Sequence, residues 1–304
     1  ALFAMQWTAL RRYALERDVH FFGDLPIYVA HDSVETWLHR RNFLLDANGL
    51  PTSVAGVPPD YFSADGQIWG NPLYDWEFQR RDRFRWWVGR VAAQLERFEW
   101  LRIDHFRGLQ AGWSVPAGAL TGRDGAWLPA PGRELLKRLR SQLHGMPLVA
   151  EDLGVITAEV VALREEFDLP GMRILQFGFD GSPANPYLPH NHKRSTIVYT
   201  GTHDNNTTLG WYRSLDERTR AHVDAYFGCS AADIPDALIR AALRSVAILA
   251  VVPLQDLLAL GAEARMNTPG TTTGNWHWAF EWSQVAPDFA ARWRALNQLF
   301  GRTR

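Results

Sequence analysis

Three short apolar runs in this chain break off in acidic clusters. Trp100-Leu101 leads into Arg102-Ile103-Asp104-His105, Leu148-Val149-Ala150 into Glu151-Asp152, and Thr196-Ile197-Val198-Tyr199-Thr200 through Gly201-Thr202 into His203-Asp204. Residues two apart in a strand face the same side, so Arg102 is expected to aim Asp104 and hold it ionised. Glu151 follows an apolar approach and would sit near an anionic Asp104. Both effects raise its pKa and keep it protonated. One ionised and one protonated carboxyl flanking a bond are the machinery of glycosidic-bond cleavage, with Asp104 as nucleophile and Glu151 as general acid. Asp204, beside His203, is expected to bind sugar hydroxyls at the cleavage point and to tighten as the ring flattens. For any one acid alone, a cap or a salt bridge is the better reading; their joint placement at strand ends carries the argument. Rival chemistries lack their residues, since there is no G-x-S-x-G, H-E-x-x-H, P-loop or G-x-G-x-x-G. His190 and His192, in a Pro/Asn loop, read as surface residues and not as metal ligands.

The hydrophobic pattern supplies the elements that would position these groups. Apolar stretches without alternation near residues 21, 101, 148, 174, 198 and 250 predict six strands of a parallel sheet buried on both faces. The first runs over 19–23 with Asp24 at its end, because Pro26 argues against a continuing central strand. Helical spacing over 2–17, 83–97, 134–143, 157–167, 235–245 and 289–299 fills the intervals. Ser214 and Glu217 stand at capping-box spacing before a helix that Gly228 closes. Five of the six strands end in Asp24, Asp104, Glu151, Gln176 or His203-Asp204. Functional residues on nearly every strand favour the mouth of a (β/α)8 TIM barrel over the single switch point of an open sheet. A closed barrel needs eight strands, so about six of eight βα units are expected here and two more before Ala1. The catalytic barrel would then occupy 1–304, N-terminally truncated. Within it, residues 30–82 read as an inserted loop or lid over the active site, and 108–132 as a second inserted loop. Their Gly, Pro, Asn and Asp content argues against regular elements, and Tyr61, Phe62, Trp69, Tyr74 and Trp76 argue against disorder.

Composition narrows the classes. A formal net charge of -1 over 304 residues leaves no footprint for nucleic acid. Cys229, the one cysteine, excludes an internal disulfide and, without a Cys/His pattern, a zinc site. The longest apolar run, Val246 to Leu254, is too short for a bilayer, and no secretory leader opens the chain, so a cytoplasmic protein is expected. The 14 Trp and 16 Phe, many beside Gly, Pro and Asp, suit sugar rings where exposed, although most are expected in the core.

From Phe21 to Trp278 the chain resembles the amylomaltases, or 4-α-glucanotransferases, of the α-amylase clan. The resemblance rests on Gly23-Asp24-Leu25-Pro26-Ile27-Tyr28-Val29, Gly56-Val57-Pro58-Pro59-Asp60-Tyr61-Phe62-Ser63, Arg102-Ile103-Asp104-His105-Phe106-Arg107-Gly108, Ala150-Glu151-Asp152-Leu153-Gly154 and Thr202-His203-Asp204-Asn205. It implies an α/β barrel with inserted subdomains and no organic cofactor or metal. It also implies Asp104 as nucleophile, Glu151 as acid/base and Asp204 as transition-state stabiliser. Asp24, Arg102 and His203 would surround the donor sugar; Tyr61, Phe62, Gln67 and Trp69 would roof the acceptor side, with Phe177 as a wall. Asn206 stands where many members carry an acid, and the family's long N-terminal portion has no counterpart here. The expectation is a retaining 4-α-glucanotransferase with α-1,4-glucan donor and acceptor sugars as its partners. An α-1,4-glucan hydrolase with the same triad, or an inactive or glucan-binding fragment, are the alternatives.

Overall fold

Each of the six apolar stretches forms a strand. The computed structural model describes residues 1–59, 64–230 and 233–303; the roles expected of Tyr61 and Phe62 lie outside those residues. In chain order the strands are β1 (Phe22–Pro26), β2 (Ser53–Val57), β3 (Gln67–Pro72), β4 (Trp100–Asp104), β5 (Ala111–Pro116), β6 (Ala126–Pro129), β7 (Leu148–Ala150), β8 (Gly171–Ile174), β9 (Thr196–Tyr199) and β10 (Leu249–Val251). They form three sheets, ordered β1-β4-β7, β10-β9-β8 and β3-β2-β5-β6. The chain divides into two units, Ala1–Gly171 and Met172–Arg304.

In the first unit β1, β4 and β7 run parallel. The middle of β4 and all of β7 are buried, as a sheet covered on both faces requires. Leu25, Leu101, Ile103 and Leu148 join Trp87, Leu135 and Leu139 of the helices Arg85–Leu95 and Gly132–Gln142 in one core. β1 departs from expectation by running past Asp24 to Pro26, which puts Asp24 inside the strand. Proline is tolerated there because, among the described residues, β1 pairs with β4 alone, so its missing N–H breaks no ladder on the other side.

The two insertions expected to be loops hold regular elements: β2 and β3 come from 30–82, beside the short helices Val34–Leu38 and Trp76–Arg81, β5 and β6 come from 108–132, and all four strands pair antiparallel. Gly56 serves close approach and not a turn. A Cβ on Gly56 would stand 2.2 Å from the Gln67 carbonyl oxygen, so only glycine lets β3 close on β2 at that point. Trp113 and Trp127 meet edge-on at 5.0 Å across β5 and β6.

In the second unit β9 pairs in parallel with β10. Val198, Tyr212, Val223, Ile234 and Leu238 make its core. Asp216, not Ser214, caps the helix Glu217–Phe227 through the Thr219 N–H, while Ser214 ends the preceding helix and donates back to the Trp211 carbonyl. Gly228 closes the second helix in the left-handed conformation. His192 is buried, against expectation, between Ser245 Oγ at 2.7 Å and the Tyr187 carbonyl at 3.0 Å. Among the described residues no helix is long and apolar enough to cross a membrane.

Candidate active site

Because β4 lies between β1 and β7, register alone gathers the polar residues. Asp24 pairs with Arg102 and Ile103 with Ala150. Alternation turns Asp24, Arg102 and Asp104 to one side, and the register carried one residue past Ala150 sets Glu151 opposite Asp104 on that side. The Arg102 side chain, 11% exposed, spans two carboxylates: Nη1 donates to Asp24 at 2.5 Å and Nη2 to Asp104 at 2.7 Å. Both carboxylates remain 43% exposed. An anchored cation thus presents Asp104 to solvent. Arg102→Met would leave two carboxylates side by side, but water reaches both. The expected destabilisation is therefore about 1–3 kcal/mol, less than the cost of stranding a fully buried charge. Urea denaturation at neutral pH measures it, and Arg102→Lys, with one point charge for two acceptors, should fall between.

Glu151 extends the β4–β7 ladder: its N–H donates to Ile103 and its carbonyl accepts from Phe106, each at 3.1 Å. Its carboxyl accepts from the His105 N–H at 2.6 Å on Oε2 and from the Leu153 N–H at 2.9 Å on Oε1. Burial pushes the Glu151 carboxyl up to about 7; Arg102 and the two N–H groups oppose this, and the charge of Asp104 adds to it. Burial wins, which leaves Glu151 poised between acid and base at neutral pH. The neighbouring Arg107 is buried. It donates to the Val155 carbonyl in the loop after Glu151 and lies 3.7 Å over the Trp127 ring of β6.

Two of the residues expected on the acceptor side, Gln67 and Trp69, sit on β3. Trp69 donates through Nε1 to Gln67 Oε1 at 3.1 Å and meets the His105 ring edge-on at 4.8 Å. Arg123, in the second insertion, pairs with Asp65 at 2.8 Å and donates to the Ala64 carbonyl at 2.7 Å, tying down the approach to β3. Asp24, Arg102, Asp104, Glu151, Gln67 and Trp69 are thus linked within the first unit.

Asp204, His203 and Phe177 belong to the second unit. Asp204 follows β9, where its carboxylate accepts from Asn267 Nδ2 at 2.6 Å and lies 3.5 Å from His203 Nε2. Arg265 donates to the Asp204 carbonyl at 2.7 Å and to the Asn267 carbonyl at 2.8 Å. Trp276 lies with its ring centroid 5.2 Å from that of His203. Sequence reasoning missed Arg265, Asn267 and Trp276, which sit in a loop without periodicity and 61 or 63 residues beyond their hydrogen-bond partner where such a bond exists. Phe177 packs edge-on to Tyr187 at 5.6 Å. Gln176 is buried and donates to the Asn206 carbonyl at 3.0 Å, while Asn206 Oδ1 accepts from the Thr207 N–H at 2.9 Å. β10 is also followed by an acid, Asp256, buried and accepting from Thr200 and Thr208 at 2.6–2.8 Å. Burial raises its pKa, and its acceptors serve the fold. Among the described residues no group of three or more His, Cys, Asp or Glu is placed to hold a metal ion.

Residues 1–284 match a family described as 4-alpha-glucanotransferase. The 4-alpha-glucanotransferase of Synechocystis sp. is 49% identical over 301 residues, covering 98% of this chain and 60% of the relative. That of Thermus thermophilus is 48% identical over 305 residues, covering 98% and 61%. The solved amylomaltase from Streptococcus agalactiae in complex with acarbose matches with a TM-score of 0.96 at 36% identity, over 99% of this chain and 61% of that one. The chain spans about 60% of the length of the curated relatives it matches.

Proposed function

The chain belongs to the 4-alpha-glucanotransferase family, and from that premise we propose that it carries the chemistry of a retaining transfer between α-1,4-glucans. One observation carries the reading: a carboxyl poised near neutrality, Glu151, stands beside an arginine-anchored carboxylate, Asp104, on neighbouring parallel strands. Asp104 attacks the anomeric carbon while Glu151 gives its proton to the departing glycosidic oxygen, leaving a glycosyl ester on Asp104. Glu151, now a carboxylate, takes the proton of an acceptor hydroxyl. That oxygen displaces Asp104, and two inversions give retention. Asp204 is assigned the stabilisation of the flattened, positively charged ring, a role supported by a carboxylate fixed by Asn267. Asp24, Arg102 and His203 are assigned to the donor sugar, and Gln67, Trp69 and Phe177 to the acceptor.

Transfer instead of hydrolysis requires a sugar to outcompete water, and the strand-built insertion bearing Trp69 favours this by covering the turn at His105. The (β/α)8 barrel and a cytoplasmic location belong to the same proposal; plant relatives at 43–44% identity are chloroplastic or amyloplastic. Incubation of this chain with maltotriose is the test. Glucose together with a ladder of longer oligosaccharides is expected; shorter sugars alone would favour the hydrolase, and an unchanged substrate would sink the proposal for this chain.

A further inference from the structure

We propose that His105 is a positioning residue for Glu151, its left-handed backbone aiming an N–H at the carboxyl and its ring locking that turn to β3 through Trp69. The inference rests on the reading of Glu151 as the acid/base.

His105 has φ 51 and ψ 50, in the left-handed region that non-glycine residues enter sparingly, His more readily than most. The turn divides two donors between two acceptors. The Phe106 N–H closes the ladder onto the Glu151 carbonyl at 3.1 Å, and the His105 N–H, one residue earlier, meets Glu151 Oε2 at 2.6 Å. A non-glycine residue stays in such a conformation only where its surroundings over-determine it. Here the imidazole meets Trp69 edge-on at 4.8 Å and lies 6.5 Å from the Tyr28 ring. A Cβ on Gly108 would stand 3.2 Å from its Cδ2, so that glycine completes the wedge. Nε2 is buried and makes no hydrogen bond among the described residues, so packing holds the ring. Burial, and then Arg107, hold the His105 pKa down to about 3, which keeps the ring neutral beside Glu151. The charged groups that act on Glu151 are Arg102 and Asp104 of β4, and the charged group that acts on the His105 ring is Arg107.

His105→Gly keeps the left-handed turn accessible and removes the wedge; Trp69→Ala removes the ring's partner from another strand. In the ligand-free protein, the backbone amide resonance of residue 105 should titrate with Glu151 and lose that titration in Glu151→Gln. His105→Gly is expected to move the midpoint upward, because a weakened N–H bond disfavours the carboxylate. It should also lower kcat roughly 10- to 100-fold with KM within about 2-fold. Trp69→Ala should shift the midpoint the same way and add nothing in the His105→Gly background. A downward shift would mean that the ring only excludes water, and an amide indifferent to Trp69→Ala would break the link to β3; either overturns the inference. The amide readout needs no turnover. A chain that moves no glucan yet shows these shifts would refute the acid/base reading and leave the positioning intact.

Discussion

Asp104→Asn is expected to lower kcat for transfer from maltotriose by about 10⁴-fold or more while the protein stays folded and still binds glucan. The two halves of that expectation have separate causes. Asn keeps the shape and an acceptor for Arg102 Nη2, and Arg102 keeps its second partner, Asp24. Since the Asp104 side chain is 43% exposed, losing its charge should change stability by no more than about 1 kcal/mol. What the proposed mechanism loses is the electron pair that would form the glycosyl ester. Were Asp104 only a partner for Arg102, the activity loss would be modest, around 10-fold. A second readout separates these cases. Asp104→Gly opens the space beneath the anomeric carbon, and azide supplied with an α-glycosyl fluoride should attack there directly. One displacement in place of two gives an inverted β-glycosyl azide. Recovery of an α-product, or no azide adduct beside substantial residual transfer, would remove Asp104 from the nucleophile's place.

The strand positions were legible because apolar runs without alternation leave few other structures open, and the acids were legible because they interrupt those runs. Arg102 was read as Asp104's partner from a spacing of two. That it also grips Asp24 is hidden in the sequence, because Pro26 reads as the end of β1 and an edge strand relaxes that rule. The insertions misled for a different reason. β2 pairs with β5 across more than fifty residues of chain, and glycines such as Gly56, which read as loop punctuation, admit the close approach of a neighbouring strand. Long-range pairing leaves no local period. The same blindness hid Asn267 and Arg265, whose value lies wholly in reaching Asp204. The sequence predicts a raised Glu151 pKa from burial and from Asp104, without ranking the two. In the structure burial leads, and Arg102 opposes it more strongly than Asp104 assists, which only the buried geometry after β7 could rank.

That ranking makes Glu151→Gln the sharper of the two experiments, because it predicts a stability change with a sign as well as an activity loss. The Glu151 carboxyl is raised from 4.5 to about 7 on folding. Between those values the folded protein holds a proton that the unfolded chain has released, so stability falls as pH rises through that window. The contribution is fully present below the lower value and lost above the upper. A shift of that size corresponds to about 3 kcal/mol. The substituted glutamine need not imitate the acid perfectly: its amide must face one of the two N–H groups with a donor, a cost that does not vary with pH. Taken as a difference, the stability of Glu151→Gln relative to wild type should therefore improve by about 2–3 kcal/mol from pH 5 to pH 8 in urea denaturation. A difference that stays flat would mean the carboxyl titrates normally. Activity should follow the same proton. Wild-type kcat/KM should fall above about 7, where the proposed general acid loses its proton. Glu151→Gln should lose about 10²–10⁴-fold on maltotriose but much less on an α-maltosyl fluoride, whose leaving group needs no proton for the first step. The alkaline limb should vanish with the side chain that causes it, and a limb that survives the substitution would assign the proton to another group.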